Sequence, residues 1–358
     1  MSTSTKSTIV VGGGIVGLTS AWRLARGGYH VTLFDPTPGH GATWAAAGMI
    51  APHAEAAPGE RKNFNLQRQA LTGWRRLSQE LFDVAGRAVD ITVTGTLMTG
   101  WDAGDRRLVD QFRQVATDYG VTLRIVRRDE DPAVFQGVSD RITSGVLLDG
   151  DAWIDPDQAV DILQGGLASI GVRIVTEHVH AIEGGPWGVR IHHGDNTLTA
   201  DAGILATGAY GLPSGATPTG EHAVRPVRGM TVRIDGIDRA SAPTLRCFVR
   251  GRPFYVVSRP GGYCVIGASS EERSGPLIEV GELQRLLRDA LDVVPELETC
   301  SLYETRVGLR PASTNLEPFF EEWDDRRWAW SSGHFRHGVT LAPLTARSAV
   351  DFVDRVTA

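Results

Sequence analysis

The sequence predicts an α/β protein. A Rossmann-like nucleotide-binding domain, discontinuous along the chain, carries an inserted α+β domain built on an antiparallel sheet. A strand, a glycine-rich turn, a helix and a second strand open the chain, residues 204–209 resemble a buried strand that returns to the first sheet, and residues 224–269 alternate with period two. The first domain would comprise residues 1–85, 145–215 and 325–358, and the second residues 86–144 and 216–324.

The opening unit predicts a dinucleotide site. After the apolar strand, Gly12 would permit a tight turn, Gly14 would let the backbone approach a pyrophosphate, and Gly17 would allow close packing of helix and strand. Asp35 follows the second strand and would accept both hydroxyls of an adenosine ribose, which favours a 2′-OH nucleotide over a 2′-phosphate.

The helix of this unit has apolar residues at helical spacing over residues 18–25, and Ile15 and Val16, just before it, are candidate cofactor-binding residues. Its free N–H groups and positive dipole end would face the phosphates. Together these features predict an ADP-containing cofactor, and a chance glycine-rich turn is the alternative.

Composition limits the function classes. The chain has 358 residues, enough for two domains, and its net charge of -6 argues against a nucleic-acid partner. Its apolar runs are too short for a membrane span, and the polar segment Met1–Lys6 lacks the apolar core of a signal peptide, so a cytoplasmic location is expected. The three cysteines are widely separated and form no metal-binding spacing, which predicts reduced thiols and no metal.

Periodicity predicts the remaining elements. Asp155 is a candidate N-cap because Pro156 would occupy the first helical position. Helices are expected at 65–81, 105–119, 156–170 and 282–294, with a final helix to about 356. Strands are expected at 172–175, 189–193, 197–201, 204–209, 230–234, 254–258, 263–266, 302–307 and 328–331.

Two stretches of small residues, 43–49 and 206–208, would let backbone lie flat against a large ligand. Thr43 could donate to a phosphate, or it could simply start a helix packed under the sheet. The ligand-lining candidates in these stretches are Thr43, Ala46, Ala47, Gly48, Met49, Thr207 and Gly208.

Four further segments carry a family resemblance: Ala45–Pro52, Ala206–Gly208, Gly308–Pro311 and Gly333–Gly338. With the glycine motif, they occur in the order seen in flavin-dependent amine oxidases of the D-amino-acid-oxidase superfamily. The sequence most resembles the glycine oxidase branch of thiamine (thiazole) biosynthesis. The resemblance implies that FAD extends along the first domain, with the flavin ring under the antiparallel sheet of a substrate-binding second domain.

The last helix also favours FAD over NAD. It begins near Gly338, Val339 and Thr340, and a helix N-terminus there would stabilise the negative charge of a reduced flavin. The resemblance further implies that Val179 contacts the adenine through its backbone. His337 stands where the family commonly has asparagine.

The resemblance implies that Arg310 binds the carboxylate of an amino acid, for which a guanidinium fork is suited. An interdomain salt bridge is the alternative. Tyr255 matches a pocket tyrosine that helps to hold this carboxylate, or it is a sheet aromatic. His334 and Arg336 match residues close to the flavin, with a supporting role behind the site as the alternative.

Other positions are less definite. His53 and Glu55 could border the entrance, although a solvated loop is favoured for both. The chain also departs from the family pattern at Trp44 and at Pro318–Glu321, where the family has a glycine near the flavin, and this leaves the shape of the pocket open.

The expected reaction is oxidation of the Cα–N bond of a small amino acid such as glycine, by hydride transfer to flavin N5. An imine or 2-oxo acid would form, and oxygen would be reduced to hydrogen peroxide. An N-substituted glycine or other secondary amine, a D-amino acid, or a flavin-binding subunit without turnover are the alternatives. A homo-oligomer is expected.

Overall fold

The computed structural model describes residues 6–237, 239 and 241–358, so the polar segment at residues 1–5 lies outside the described part. Its helices are α1 (Ile15–Arg26), α2 (Ala42–Ala45), α3 (Arg61–Gln67), α4 (Ala70–Ala85), α5 (Ala103–Asp118), α6 (Pro156–Ser169), α7 (Val280–Val293) and α8 (Gly338–Val356). Its strands are β1 (Ser7–Val11), β2 (His30–Phe34), β3 (Met49–Ile50), β4 (Thr92–Val93), β5 (Thr96–Gly100), β6 (Arg124–Arg127), β7 (Ser144–Leu148), β8 (Ala152–Trp153), β9 (Arg173–Val175), β10 (Val179–Gly185), β11 (Gly188–His193), β12 (Asn196–Ala200), β13 (Ala202–Leu205), β14 (Val224–Asp235), β15 (Thr244–Val249), β16 (Arg252–Arg259), β17 (Tyr263–Gly267), β18 (Ser301–Ser313), β19 (Phe319–Trp323) and β20 (Trp328–Ser332).

The first sheet has six strands in the order β19-β20-β13-β1-β2-β9. All neighbouring strands are parallel except β19, which pairs with β20 as an antiparallel edge. Because side chains alternate along a strand, each strand buries one set of residues on each face. Val10 and Leu33 pack under α1, α4, α6 and α8, whereas Ile9 and Phe34 pack against the small sheet β10-β11-β12.

The second sheet has eight strands in the order β18-β14-β17-β16-β15-β5-β7-β6. Its neighbouring strands are antiparallel except for the pair β15–β5. On one face, Met230, Val232 and Ile234 pack with Leu286 and Val293 of α7. The alternate residues of the same strands point toward the first sheet, and this second face carries many polar side chains.

The predicted α/β class, with a Rossmann-like domain and an inserted antiparallel sheet, is confirmed. The returning strand is β13, which pairs with β1 although the two are almost 200 residues apart in sequence. Strands β5, β6, β7 and β15 were not predicted. Three predicted elements differ clearly in extent. The helix expected over 65–81 is two helices, because Gln69 N–H bonds to the Leu66 carbonyl in a tight turn. The strand expected at 204–209 ends at Leu205, so the small residues 206–208 lie beyond it. The strand expected at 302–307 continues to Ser313, which places Arg310 inside it.

The sheets also bear on the division into domains. Strand β7 belongs to the eight-stranded sheet, and β19 belongs to the six-stranded sheet. The expected division had assigned residues 145–148 to the first domain and 319–323 to the second. We therefore propose the same two domains with these two strands exchanged.

Within the residues that the structure describes, none of the helices combines the length and apolar character needed to cross a membrane.

Candidate functional site

A large cavity of about 730 Å³ lies between the two sheets. The carboxyl ends of β1, β2 and β13 form one part of its lining, as expected for the ligand-binding edge of a parallel sheet. The polar face of the eight-stranded sheet and the start of α8 form another part. The predicted ligand-lining residues found here are Gly12, Gly14, Ile15, Val16, Asp35, Thr43, Ala46, Ala47, Gly48, Met49, Val179, Thr207, Gly208, Tyr255, Arg310, His334, Arg336, His337, Gly338, Val339 and Thr340.

The three glycines of the opening motif have different surroundings. A Cβ at Gly12 would overlap the Ala206 carbonyl, and a Cβ at Gly17 would overlap the Gly12 carbonyl. Both glycines therefore permit close packing of backbone against backbone, and Gly17 itself does not line the cavity. A Cβ at Gly14 would find only Thr43 Oγ1, at 3.5 Å, so this glycine faces open space.

Thr43 and Asp35 connect the start of α1 to its surroundings. The Ile15 N–H donates to Thr43 Oγ1 (3.0 Å), which leaves the Thr43 hydroxyl proton available to another acceptor. The Asp35 carboxylate accepts from Gly13 N–H (2.6 Å) and Thr37 N–H (2.8 Å). These two bonds hold the carboxylate at the cavity while it retains lone pairs for further donors.

Side chains of the eight-stranded sheet hold the end of α2 and the residues that follow it. The Thr231 hydroxyl donates to the Ala45 carbonyl (2.9 Å), and Arg306 donates to the Trp44 carbonyl (2.9 Å). Arg259, which is buried under the Trp153 ring, donates to the Ala47 carbonyl. We name this segment, residues 44–47, the clasped segment. Its carbonyls are directed toward the second sheet.

The N-terminus of α8 also lines the cavity. No side chain caps its first turn, so the N–H groups from Gly338 onward lack a capping acceptor. His334 and His337, just before this helix, are buried. Burial lowers the pKa of His337 to about 4, and burial together with a smaller effect of His337 lowers that of His334 to about 4. Both imidazoles are therefore neutral near pH 7.

Arg310 and Tyr255 extend from the polar face of the second sheet. Arg310 Nη1 donates to the Ser269 carbonyl (3.1 Å) and weakly to the Arg228 carbonyl (3.4 Å). Its Nη2 and Nε have no partner among the described residues, and neither does the Tyr255 hydroxyl. Burial lowers the pKa of Arg310 and raises that of Tyr255, while their mutual interaction opposes both shifts. The cavity therefore contains a guanidinium fork and a phenol O–H with unused donors.

Glu55 lies at the same end of the cavity, between two arginines. Its carboxylate pairs with Arg246 Nη1 (2.7 Å) and with Arg336 Nε (2.9 Å), and its side chain is 11% exposed. Burial alone would raise its pKa, but Arg246 and Arg336 outweigh this effect and lower it to about 2. Glu55 is therefore ionised, and the solvated loop favoured from the sequence is wrong for this residue.

His53 lies outside the cavity lining, and its Nδ1 contacts the buried Asp151 carboxylate at 2.9 Å. The same carboxylate accepts the N–H groups of His53 and Ala54. Asp151 therefore fixes the short turn His53–Glu55 that carries Glu55 into the cavity.

A comparison with known families matches residues 7–352 to the family "DAO: FAD dependent oxidoreductase". The chain belongs to this FAD-dependent oxidoreductase family. It is 26% identical over 353 residues to the glycine oxidase of Bacillus licheniformis, covering 97% of this chain and 92% of that protein. It is 27% identical to a putative thiamine biosynthesis oxidoreductase of Rhizobium etli, covering 94% and 93%. The solved structure of glycine oxidase from Geobacillus kaustophilus aligns with a TM-score of 0.86 at 23% identity, covering 98% of this chain and 95% of that one.

The family resemblance, the FAD cofactor and the oxidoreductase class predicted from the sequence are thus confirmed, and the cavity of this FAD-dependent oxidoreductase fits the cofactor. Gly14 leaves room for a pyrophosphate, and α8 offers uncapped N–H groups. Thr207 Oγ1 is buried in the lining without a hydrogen-bond partner among the described residues, so it needs a ligand partner. We propose that Asp35 holds the ribose, that Gly14 and Thr43 hold the pyrophosphate, and that α8 faces the flavin.

Several features of this oxidoreductase were not predicted. Arg246, Pro253, Ser269 and Tyr210 also line the cavity. Arg246 has no local motif, and its relation to Glu55 spans 191 residues, so only the sheet pairing reveals it. The departure at Pro318–Glu321 has a different explanation. Residues 319–321 form the start of β19, and neither Phe319 nor Phe320 lines the cavity.

Proposed function

We propose that this enzyme oxidises the Cα–N bond of a small amino acid such as glycine. Glycine, water and oxygen would give glyoxylate, ammonia and hydrogen peroxide, by way of an imine that water hydrolyses. Relatives named glycine oxidase and thiamine biosynthesis oxidoreductase, which cover nearly the whole chain, support this reaction and a place in thiamine biosynthesis. The predicted homo-oligomer stays a prediction.

One observation carries the proposal: Arg310 and Tyr255 present unused donors to a cavity that fits FAD. The Arg310 fork would bind the α-carboxylate through two parallel N–H bonds, and the Tyr255 hydroxyl would add a third donor. Two or more contacts to one carboxylate leave the amino acid little freedom to rotate. The chain would therefore contribute chiefly by orienting Cα, and FAD, when bound, supplies the two-electron acceptor.

The same surroundings bear on the amine. It must be uncharged when Cα loses hydride, because its lone pair stabilises the developing cation. Arg310, Arg336 and Arg246 place three positive charges around this end of the cavity, against one carboxylate. A net positive environment lowers the pKa of a bound ammonium and favours the neutral amine. No strong protein base is then required, in agreement with the pKa of about 4 of His334 and His337, which makes both of them weak bases.

The test is steady-state oxidation of glycine, sarcosine and a plain alkyl amine by wild type, Arg310→Ala and Arg310→Lys. Removing one side of a buried charge pair costs ~2–5 kcal/mol, so kcat/KM for both amino acids should fall by roughly thirty-fold to several thousand-fold. Lysine should recover only part, since it cannot form the fork. The alkyl amine should show no such loss, and flavin content should be unchanged.

Arg225→Ala is the matched control, because Arg225 forms an exposed pair with Glu272 away from the cavity. It should leave all rates unchanged. If Arg310→Ala oxidises glycine and sarcosine within about twofold of wild type, the carboxylate is bound elsewhere and the proposed function loses its main support.

A further inference from the structure

The charges at the substrate end of the cavity do not balance. Arg246, Arg310 and Arg336 all line it. Glu55 forms ion pairs with Arg246 and Arg336 but not with Arg310, and Glu60 acts on Arg336 without forming an ion pair with it. The α-carboxylate of an amino acid bound at Arg310 would add one negative charge. One of the three guanidinium groups would then have no carboxylate paired with it, and its N–H groups would remain available to a further anionic group.

The position of Arg246 shows where a second anionic group could bind. Arg246 on β15 lies directly opposite Tyr255 on β16, so the two side chains are neighbours on the same face of the sheet. Arg310 lies on β18, on the other side of β16 in the strand order. The two arginines therefore approach Tyr255 from opposite sides, and a group held by Arg246 would not compete with a carboxylate held by Arg310.

Arg246 and Arg336 also have N–H groups that are not used by Glu55. The hydrogen bonds of Arg246 to Glu55 and to the Ala54 carbonyl both use Nη1. Its Nε and Nη2 have no partner within the part of the chain that the structure describes. Arg336 contacts Glu55 through Nε alone, and its side chain is 43% exposed toward the cavity. Glu55 thus positions two guanidinium groups and leaves most of their N–H groups available.

We propose that the preferred substrate carries a second carboxylate, on its N-substituent, which Arg246 and Arg336 bind. This inference rests on the proposed function and narrows it, because the α-carboxylate remains at Arg310. The competing explanation is that Arg246 serves only to hold Glu55 and the turn around it.

The test compares substrates that differ in one carboxylate. Anaerobic flavin bleaching and steady-state kinetics are measured with sarcosine and N-ethylglycine, which carry one carboxylate, and with iminodiacetate, which carries two. Wild type should have at least about tenfold higher kcat/KM for iminodiacetate, as one good charge-assisted contact is worth about 1.5–3 kcal/mol. In Arg246→Gln, the ratio of iminodiacetate to sarcosine kcat/KM should fall by about tenfold or more, chiefly through KM.

Arg225→Gln is the control and should leave this ratio unchanged. A wild-type enzyme that prefers sarcosine or N-ethylglycine would overturn the inference, and so would an Arg246→Gln enzyme that loses both activities in equal proportion. In either case, bleaching by sarcosine would leave the proposed function standing. Absence of bleaching with every amino acid would instead overturn the proposed function, and the inference with it.

Discussion

The guanidinium of Arg310 lies flat over the backbone of Gly229 on the neighbouring strand. A Cβ at Gly229 would overlap the guanidinium carbon and both of its terminal nitrogens. Gly308, the cross-strand partner of Gly229, is also a glycine, so this part of the β14–β18 pair is bare of side chains. The space for the guanidinium fork is therefore made by a cavity-lining residue that has no side chain.

Gly229→Ala should displace Arg310 without removing it. We expect kcat/KM for an amino acid substrate to fall by about one to two orders of magnitude, corresponding to ~1.4–2.8 kcal/mol of lost transition-state binding. Bound flavin should be retained, because position 229 is not among the proposed FAD contacts. Kinetics and the visible flavin spectrum measure the two effects.

The matched control is Gly275→Ala, since Gly275 has no atom within 4 Å of an added Cβ. This variant should keep wild-type kinetics. An active Gly229→Ala enzyme with unchanged kcat/KM would mean that Arg310 can bind the carboxylate from another position.

Gly14→Val and Gly17→Ala should fail in different ways. Valine at 14 enters open space proposed for the pyrophosphate, so the protein should fold but lose its flavin. Alanine at 17 meets the Gly12 carbonyl inside the protein, so the free energy of unfolding should fall by about 1–3 kcal/mol or more. Flavin absorbance relative to protein, and urea unfolding of each variant, separate the two. A yellow, fully active Gly14→Val enzyme would contradict the proposed cofactor position.

Acid should destabilise the protein through His334 and His337. Burial holds the pKa of both near 4, whereas an unfolded histidine titrates near 6.5. Between these values the unfolded state binds more protons, so the free energy of unfolding should fall as pH decreases from about 6.5 to about 4. The loss should reach about 3 kcal/mol per histidine, because one pKa unit corresponds to about 1.4 kcal/mol. Glu55 does not act in this range, because its pKa of about 2 places its contribution below pH 4.5.

His337→Asn should therefore flatten the pH dependence of stability between pH 6.5 and 4, as measured by urea unfolding at several pH values. His30→Asn is the control, since His30 is exposed at the start of β2. An unchanged slope in His337→Asn would show that this imidazole is charged in the folded protein or accessible to protons at no cost.

Asp151→Asn should weaken the turn that carries Glu55. The asparagine side chain has a single acceptor oxygen, whereas both oxygens of Asp151 accept hydrogen bonds. The N–H of His53 or of Ala54 would therefore lose its acceptor, at a cost of about 1–3 kcal/mol. Urea unfolding measures this loss. Asp149→Asn, two residues away and paired with the exposed Arg124, should change stability by less than about 0.5 kcal/mol. Equal effects of the two substitutions would remove the special role of Asp151.

Local patterns predicted much of the fold. The unit from β1 to β2 was recognisable because its turn, helix spacing and strands are close in sequence, and Asp155 with Pro156 correctly predicted the start of α6. Strand patterns also identified four of the eight strands of the second sheet, β14, β16, β17 and β18, whereas β5, β6, β7 and β15 were not predicted. These features depend on the backbone geometry of each segment and on residues close to it in sequence.

Relations between distant segments were not predictable in the same way. Glu55 is polar and follows a loop, so exposure was the natural expectation, and only its contacts with Arg246 and Arg336 explain its burial. β19 had no signal for its edge position, which depends on pairing with β20 after a short turn. The resemblance supplied Arg310 and Tyr255, but the glycines that make room for them, Gly229 and Gly267, emerge only from strand register.

The clasped segment, whose carbonyls bond to Thr231, Arg306 and Arg259, makes the two sheets dependent on one another. A cofactor bound along this segment is enclosed by the antiparallel sheet as much as by the glycine motif. The two domains therefore cannot be separated at a linker and studied as independent pieces, because neither would retain the complete cofactor site. Flavin fluorescence, which rises on release from a protein, would accordingly report the loosening of the antiparallel sheet before the Rossmann-like domain itself unfolds.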